Sequence, residues 1–478
     1  MFAPLPPSGG DTRSIARQVA DRARQNVRAY REFLESHGTP PDAPFENLPH
    51  IDKESYLKRF PFSGLVGDDF DKTFTIFSSS GSSGVPFYWP QLKSSHKASA
   101  TMLLHLLESS FEIDKRRTLA VIGLALGSWI GGDFFSWAFK NAALSTPYPF
   151  AVFSPGSRHD EIISILHAAA DTVDQFLLVC CPSAIGHLLL RAEQTGKPLP
   201  LEKIRYLVIG EPFPEILRRD LEKKSQCAGG LPAMLSIYGS ADTGVLGFES
   251  KLSIYLRRLC ETEPAMSAAL GLPGNPPHFF HVADPTAHLE AVDGELWVTK
   301  WQGIPLVRYN LHDQVRILQW DEITRALENV TDEKTRALMT LPLAAPSTQF
   351  LAIAGRADSC LILCGTNLTE TMLDHAMHSP DLQGELTGAY KARIVIEDGR
   401  QRLEITAECR GETGEPERVY PRLIDALGAA QPEFLDDWNN IYKQWDSDPE
   451  RRIIKLSLVP WPSLSGTGGG IKHRGIIR

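Results

Sequence analysis

Residues 73–86 have the sequence TFTIFSSSGSSGVP, and this stretch decides the interpretation of the fold. The apolar, β-branched run Thr73–Phe77 predicts a buried strand. The next seven residues, Ser78–Gly84, are too small to pack a core. After a strand, such a run lets backbone N–H groups and hydroxyls converge on an anion such as phosphate. A flexible surface turn is the alternative for an isolated Ser/Gly run, and the chain has no P-loop lysine motif.

Short apolar runs recur after this strand and alternate with stretches long enough for helices. The predicted strands are Thr73–Phe77, Leu119–Ile122, Phe176–Val179, Ile204–Ile209 and Leu235–Tyr238. Helices are predicted within Asp160–Ala170 and Pro182–Gln194. Strand–helix alternation of this kind predicts an α/β fold with largely parallel, buried sheets.

The pattern of apolar residues is different at the two ends of the chain. Residues 11–36 carry apolar side chains at helical spacing and predict one amphipathic helix, followed by a proline-rich link. From about residue 290 the pattern changes to strands joined by tight turns, and beyond Gly355 it becomes α+β. We therefore expect a large N-terminal domain, residues 1–355, of mixed and parallel sheets with helices, and a small α+β C-terminal domain, residues 356–478.

Composition excludes several classes of protein. The 478 residues contain 49 Lys and Arg against 58 Asp and Glu, a net charge of 49 − 58 = −9, which argues against a surface that coats nucleic acid. Seven cysteines without a CxxC pair fit reduced thiols in a cytoplasm better than disulfides. The N-terminus is unlike a secretory signal. The uncharged stretch Thr118–Gly132 is too short to span a membrane.

Four later segments recur in a fixed order behind the Ser/Gly run. They are Gly210-Glu211-Pro212, YGSADTG at 238–244, PLVRYNLHD at 305–313, and GRAD at 355–358 with LILCGTN at 361–367. In this order and spacing they resemble the adenylate-forming superfamily of acyl-CoA synthetases, luciferases and peptide-synthetase adenylation domains. Within it they resemble the phenylacetate–CoA ligase branch. The resemblance covers roughly residues 75–375, and a weaker resemblance is found at the C-terminus.

The resemblance implies an ATP site. Its phosphate loop would be Ser79, Ser80, Gly81, Ser82, Ser83 and Gly84. The adenine would lie against Gly210, Glu211, Pro212, Tyr238 and Gly239. Asp313, an acceptor-only carboxylate, would bind the two ribose hydroxyls, and Arg356 would donate to the same nucleotide. The alternatives are a surface ion pair for Asp313 and Arg356, and a core aromatic for Tyr238.

The chain departs from the family pattern at three places. Val85 stands where the family usually has lysine, so one cation is missing from the phosphate site. Ala241 and Asp242 stand where the family has Ser or Thr followed by Glu. Asp242 remains able to bind Mg²⁺ as a catalytic metal ligand. The structural zinc of some relatives is not expected, because Cys260 has only two downstream histidines as candidates.

The sequence GTGGGIKHR at 466–474 resembles the family's terminal glycine–lysine loop. The resemblance implies that Lys472 is the catalytic lysine that bridges the substrate carboxylate and the α-phosphate. A frayed basic tail is the alternative. Asp358 corresponds to the hinge about which the C-terminal domain would move.

Aromatic residues mark the candidate substrate pocket. Trp129, Phe134, Phe135 and Trp137 lie among glycines where the family has an aromatic-lined segment. Rings interleaved with space suit a concave apolar slot, and plain core packing explains them almost as well.

Together these features predict a ligase that activates an aromatic or short-chain carboxylic acid as acyl-AMP and then acylates an acceptor. By default this is an acid–thiol ligase that uses ATP, Mg²⁺ and coenzyme A. The alternatives are transfer to an amine or carrier-protein thiol, or a degenerate nucleotide-binding regulatory protein. Expected partners are small molecules, with a homodimer or a carrier protein as further candidates, but neither nucleic acid nor membrane.

Overall fold

The described residues of this computed structural model are 12–66, 70–79, 87–128, 130–210, 213, 215–225, 233–272, 276–328, 349–356, 360–363, 366–397, 400–411, 414–431, 434–435, 438–443, 446–449, 451–464 and 475–476. The α-helices are α1 Thr12–Asn26, α2 Arg28–Ser36, α3 Phe62–Leu65, α4 Lys93–Phe111, α5 Ile130–Ser145, α6 His159–Ala168, α7 Pro182–Gln194, α8 Glu215–Ser225, α9 Lys251–Thr262, α10 Pro264–Ala269, α11 Trp320–Leu327, α12 Glu370–Met377 and α13 Pro416–Ala430. The strands are β1 Thr73–Ser79, β2 Phe87–Leu92, β3 Thr118–Ile122, β4 Phe150–Phe153, β5 Gln175–Cys180, β6 Ile204–Ile209, β7 Met234–Ser240, β8 Gly244–Phe248, β9 His278–Val282, β10 His288–Val292, β11 Glu295–Lys300, β12 Leu306–Gln319, β13 Gln349–Arg356, β14 Cys360–Leu363, β15 Thr366–Thr369, β16 Leu386–Glu397, β17 Arg400–Cys409 and β18 Ile454–Pro460.

The fold is the expected mixed α/β arrangement, with one local difference at the N-terminus. The single helix predicted over residues 11–36 is two helices, because Val27 between them adopts an extended conformation with φ −112° and ψ 107°. Val27 is buried, and its β-branched side chain is one that helices accommodate less well. Burial of this side chain therefore coincides with the break.

One compact unit comprises Met1–Ser154, Val173–Leu177 and Leu235–Ala354. Seven of its strands lie side by side in the order β10-β11-β12-β13-β9-β8-β7. Strand β8 is antiparallel to both β7 and β9, and β11 is antiparallel to both β10 and β12, whereas β3 and β4 are parallel. A three-residue turn joins β7 to β8 and a two-residue turn joins β10 to β11, which explains the antiparallel pairing there. Helices α1 and α2 cover this sheet with a continuous apolar cluster.

The other compact unit comprises Pro155–Thr172, Leu178–Met234 and Gly355–Arg478. Its strand β6 is apolar and almost wholly buried, as a central strand should be. Residues beyond 360 form a three-stranded sheet in the order β16-β17-β18, with β16 antiparallel and β18 parallel to β17. A single apolar cluster, built only from residues between Leu361 and Ile476, lies against this sheet. The C-terminal segment therefore has a core of its own.

Candidate nucleotide and acyl site

Two tyrosines and two aspartates link the second and third of the ordered motifs. Tyr238 on β7 donates its hydroxyl to Oδ2 of Asp313 on β12. Tyr309 on β12 donates its hydroxyl to Oδ2 of Asp242, which follows β7, at 2.5 Å. Each motif thus supplies a phenol to the carboxylate of the other. We call these four residues the crossed pairs.

The Tyr238 ring is half-buried and lies against Phe280, with ring centroids 5.3 Å apart. It is therefore not a fully enclosed core aromatic. The following residue, Gly239, has no room for a side chain, because a Cβ would lie 2.3 Å from the carbonyl oxygen of Gly244. That close approach lets β7 turn sharply into β8. The turn holds Asp242 at its tip.

Strand β12 is irregular beside both of its site residues. Between Lys300↔Leu306 and Val298↔Tyr309, one residue of β11 faces two of β12. A second irregularity lies between Trp297↔Asn310 and Glu295↔Gln314. β-Bulges of this kind change the direction in which the following side chains point.

A residue with positive φ lies in each bulge. Arg308, before Tyr309, has φ 49°, and His312, before Asp313, has φ 58°. The left-handed conformation costs a non-glycine residue roughly 1–2 kcal/mol. The cost is offset locally. The backbone N–H of Arg308 donates to Oγ1 of Thr299 at 2.8 Å, and that of His312 donates to Oδ1 of Asn310 at 2.7 Å.

The Arg308 side chain adds a further anchor. Its guanidinium donates to the carbonyl oxygens of Glu46 and Leu48, at 2.6 and 2.8 Å. Sequence reasoning did not select Arg308 or Tyr309. The signal available was their place in the PLVRYNLHD segment, where Arg308 and Tyr309 lie five and four residues before the predicted site residue Asp313.

The phosphate-loop prediction falls largely outside the described residues. Ser79 ends β1, and only its backbone is described; Ser80, Gly81, Ser82, Ser83 and Gly84 lie outside, as does Val85. Ser78, directly before them, donates its N–H to the carbonyl oxygen of Ser128 at 2.8 Å, and the hydroxyls of the two serines lie 2.8 Å apart. The base of the Ser/Gly run is therefore joined to the segment that precedes Trp129.

Trp129 itself lies outside the described residues, but the other predicted pocket residues are placed. Phe134 and Trp137 lie on one face of α5, and their rings contact His96 of α4 with centroids 5.0 and 4.3 Å away. Phe74 and Phe77 of β1 contact the same imidazole. We call these five residues the His96 cluster. Phe135 instead packs against Phe139, deeper in the core.

His96 is the polar member of its cluster. The residue is 3% exposed, and burial lowers the pKa of its imidazole to about 4. It is therefore neutral at pH 7 and able to donate one hydrogen bond and accept another. None of the side-chain hydrogen bonds among the described residues involves it. Sequence reasoning missed His96 because a single histidine near the start of a helix carries no motif.

The remaining predicted nucleotide contacts are described in part. Gly210 directly follows β6 and has φ 97°, a conformation that favours glycine, whereas Glu211 and Pro212 lie outside the described residues. Arg356 is the last residue of β13, and only its backbone is described. Asp358 lies outside.

The predicted catalytic lysine, Lys472, also lies outside the described residues, but both ends of its segment are fixed. The N–H of Leu464 donates to Oε2 of Glu408 at 2.8 Å, and that of Gly475 donates to Oε1 of Glu370 at 2.8 Å. Glu408 is fully buried and also accepts from the hydroxyl of Thr387 at 2.9 Å.

The last feature of the site is the set of side chains that could bind a metal ion. Within the described residues, no group of three or more His, Cys, Asp and Glu side chains is arranged to hold a metal ion. Burial raises the pKa of the Cys260 thiol to about 11. The downstream histidines have other partners: His278 contacts Arg257, and His281 contacts Ser250. Among the described helices, none has the length and apolarity needed to cross a bilayer.

Comparison with solved structures identifies the fold. A 2-hydroxyisobutyryl-CoA ligase in the postadenylation state with R3-HIB-AMP has a TM-score of 0.63 at 15% identity, over 98% of this chain and 88% of that one. Its complex with 2-HIB-AMP has a TM-score of 0.59, also at 15% identity, over the same shares of the two chains. An acyl acid amido synthetase in complex with 2,4-DB has a TM-score of 0.59 at 11% identity, over 100% of this chain and 96% of that one. No protein-family model matches the chain, and no curated protein matches it in sequence. At these identities the likeness concerns the fold.

Proposed function

We propose that this protein is an adenylate-forming enzyme of the phenylacetate–CoA ligase-like branch. It activates a carboxylic acid, aromatic or short-chain, as its acyl-AMP, releases pyrophosphate and passes the acyl group to an acceptor. The observation that carries the proposal is the set of crossed pairs, which joins two motifs of the ordered series through their functional carboxylates. The fold shared with an acyl-CoA ligase over nearly the whole chain supports it.

In the first half-reaction a carboxylate oxygen of the acid attacks the α-phosphorus of ATP, and the bond to the β-phosphate oxygen breaks. Ser79–Gly84 hold the β- and γ-phosphates, while Gly210, Glu211, Pro212 and the Tyr238 ring hold the adenine. Asp313 accepts hydrogen bonds from the ribose hydroxyls, and Arg356 donates to the nucleotide. Lys472 stabilises the negative charge that builds between the acid and the α-phosphate.

Asp242 is the residue placed to bind Mg²⁺. Its half-exposed carboxylate accepts one hydrogen bond, from Tyr309, which leaves oxygen lone pairs for a hard cation. A single protein carboxylate suits Mg²⁺, which keeps several waters and takes further ligands from substrate phosphates. When bound, the ion supplies charge neutralisation at the phosphates.

In the second half-reaction a nucleophile attacks the acyl carbon, AMP departs with the bond electrons, and the nucleophile loses its proton. Coenzyme A thiol is the default acceptor. An amine is the second candidate, favoured by the likeness to an acyl acid amido synthetase. A carrier-protein thiol has the same chemistry as coenzyme A.

Residues 356–478 form the mobile domain in this proposal, with its hinge at Asp358. The support is the separate apolar core between Leu361 and Ile476. We place the enzyme in the reducing cytoplasm; the support is the set of seven scattered cysteines without a CxxC pair, of which Cys260 and Cys409 are free thiols.

Carboxylate-dependent exchange of labelled pyrophosphate into ATP tests adenylation directly. We expect exchange with at least one member of a panel of aromatic and short-chain acids, and its loss in Lys472→Ala. Nucleotide binding without exchange for every acid would instead make the protein a degenerate, regulatory nucleotide binder. Preformed acyl-AMP, offered to coenzyme A and to a panel of amines, then identifies the acceptor by mass spectrometry of the product.

A further inference from the structure

A buried lysine lies beneath the turn that carries Asp242. Lys300, the last residue of β11, is 3% exposed, although an ammonium group is rarely buried without partners. Its Nζ lies 2.5 Å from Oδ2 of Asp284 and donates to the carbonyl oxygen of Thr243 at 3.0 Å. The lysine thus connects the residue after Asp242 to the segment that follows β9.

Asp284 is held as a charged partner. Its other oxygen, Oδ1, accepts from the N–H of Thr286 at 2.9 Å and from the Thr286 hydroxyl at 2.6 Å. Burial alone raises the pKa of Asp284, but Lys300 and the Thr286 donors more than reverse this, so the pKa lies below its ordinary value. The carboxylate is therefore fixed from both sides and holds the ammonium in place.

A second buried donor acts on the same turn. Gln302 is 4% exposed and donates through Nε2 to the carbonyl oxygen of Asp242. Two consecutive carbonyls, those of Asp242 and Thr243, are therefore held by side chains from one short segment. The side-chain carboxylate of Asp242 is held separately by Tyr309.

A buried ion pair is a poor way to gain stability, because removing both charges from water costs about as much as their attraction returns. The geometry of this ion pair instead determines the orientation of the backbone at Asp242. With both carbonyls fixed, the Cα–Cβ bond of Asp242 is held in one direction, and the hydrogen bond from Tyr309 then fixes the carboxylate at the end of the short side chain.

We infer that Lys300, with Asp284 and Gln302, is a positioning residue that aims the Asp242 carboxylate at the metal–triphosphate. The inference rests on the proposed function, since it deepens the role of Asp242 there. Lys300 and Gln302 touch neither substrate nor metal and act through the backbone of the turn.

Two variants test this without leaving a buried charge unpaired. The double variant Lys300→Met with Asp284→Asn removes the ion pair at similar volume, and Gln302→Leu removes the other donor. Arg257→Met is the matched control: Arg257 is similarly buried in the same unit, and its guanidinium contacts His278 on β9 instead of the turn that carries Asp242.

The readouts are the Mg²⁺ concentration that gives half-maximal exchange, and the affinity for α,β-methylene-ATP in Mg²⁺ and in EDTA by calorimetry. Changes in residues that orient a metal ligand typically cost 10–100-fold in metal affinity, so we expect about a tenfold higher Mg²⁺ requirement in the double variant and a smaller rise in Gln302→Leu. Affinity in EDTA should stay within about twofold of the wild type, because the bare nucleotide does not use the metal ligand. The control should lose stability without any change in Mg²⁺ requirement.

A Mg²⁺ requirement equal in wild type and both variants, or a rise as large in Arg257→Met, would overturn the inference. If the wild type exchanges pyrophosphate with no acid, adenylation is wrong as the function, and the analogue affinities still decide whether Lys300 and Gln302 support Mg²⁺-dependent binding. Loss of affinity that is the same in EDTA as in Mg²⁺ would make these residues merely structural.

Discussion

The crossed pairs and the His96 cluster differ in the kind of side chain that builds them and in the interaction that joins those side chains. The crossed pairs are carboxylates and phenols joined by directional hydrogen bonds between distant motifs. The His96 cluster is four aromatic rings in contact with a buried, neutral imidazole, and one of them, Phe74, is 46% exposed. Directional bonds define one ligand chemistry, whereas ring packing defines a shape. The proposed nucleotide side is therefore specified by directional hydrogen bonds, and the proposed acyl side by the shape of its aromatic lining.

Lys472→Ala gives the largest expected effect and tests whether the nucleotide side is catalytic at all. In the proposed mechanism the lysine contributes to the transition state of adenylation and not to acyl transfer, so exchange should fall by about a hundredfold or more. Transfer from preformed acyl-AMP should continue at close to the wild-type rate. Equal loss in both half-reactions would assign Lys472 to structure or to the acceptor.

Asp313→Ala tests the ribose contact within the crossed pairs. Hydrogen bonds to a charged group are worth on the order of 1.5–3 kcal/mol, which predicts roughly a ten- to hundredfold higher KM for ATP. The KM of the acid should change little if the two sides are independent. A folded variant with wild-type KM for ATP removes Asp313 from the nucleotide site.

His96→Leu tests the acyl side through pH. Because the folded-state pKa of about 4 lies below the ordinary value of 6.5, the unfolded chain binds the proton more readily between these values. Stability is therefore fully present above about pH 6.5 and falls as the pH drops towards 4. The contribution of His96 to the loss of stability between pH 7 and pH 5 is expected to be about 2 kcal/mol in the wild type.

Urea unfolding at the two pH values measures that loss, which should be smaller in His96→Leu. His105→Leu is the control on the same helix, since its side chain is 41% exposed. An identical pH dependence in wild type and His96→Leu would mean that the imidazole is not buried in neutral form.

Tyr238→Phe gives the smallest expected effect and sharpens the contrast within the crossed pairs. The variant keeps the ring and removes the hydroxyl that occupies Oδ2 of Asp313, so that oxygen becomes available to the proposed ribose hydroxyls. Hydrogen bonds contribute about 1 kcal/mol net, so the KM for ATP should fall by no more than about fivefold. A clear rise in KM would show instead that the phenol itself holds the nucleotide or orients Asp313.

Much of the fold was predictable from local pattern. The helix Pro182–Gln194 has the expected bounds, and each predicted strand corresponds to an observed one. Strand β1 is less buried than predicted, because Phe74 and Ile76 are 46% and 39% exposed. Apolar runs and caps are local signals, so they survive without tertiary information. The break at Val27 was not predictable, because the helical spacing continues through it and only burial coincides with it.

The candidate site also has a part that the sequence predicted and a part that it did not. The order of motifs placed Tyr238 and Asp313 in one site, but not the crossing of the pairs, which depends on bulges that non-glycine residues form against their own preference. Lys300 had a usable signal. Alternation along β11 puts it on the same face as Leu296 and Val298, both fully buried, so the strand pattern already turned a lysine inward.

The first bulge in β12 also changes how its sequence must be aligned. Regular alternation puts residues an odd number of positions apart on opposite faces of a strand. Leu306 and Tyr309 are three positions apart and yet share a face, because their partners Lys300 and Val298 are two positions apart. Loss of one residue between Leu306 and Tyr309 would remove the bulge and leave Tyr309 paired with Val298, so an alignment of distant sequences should place a one-residue gap here before it shifts either flank.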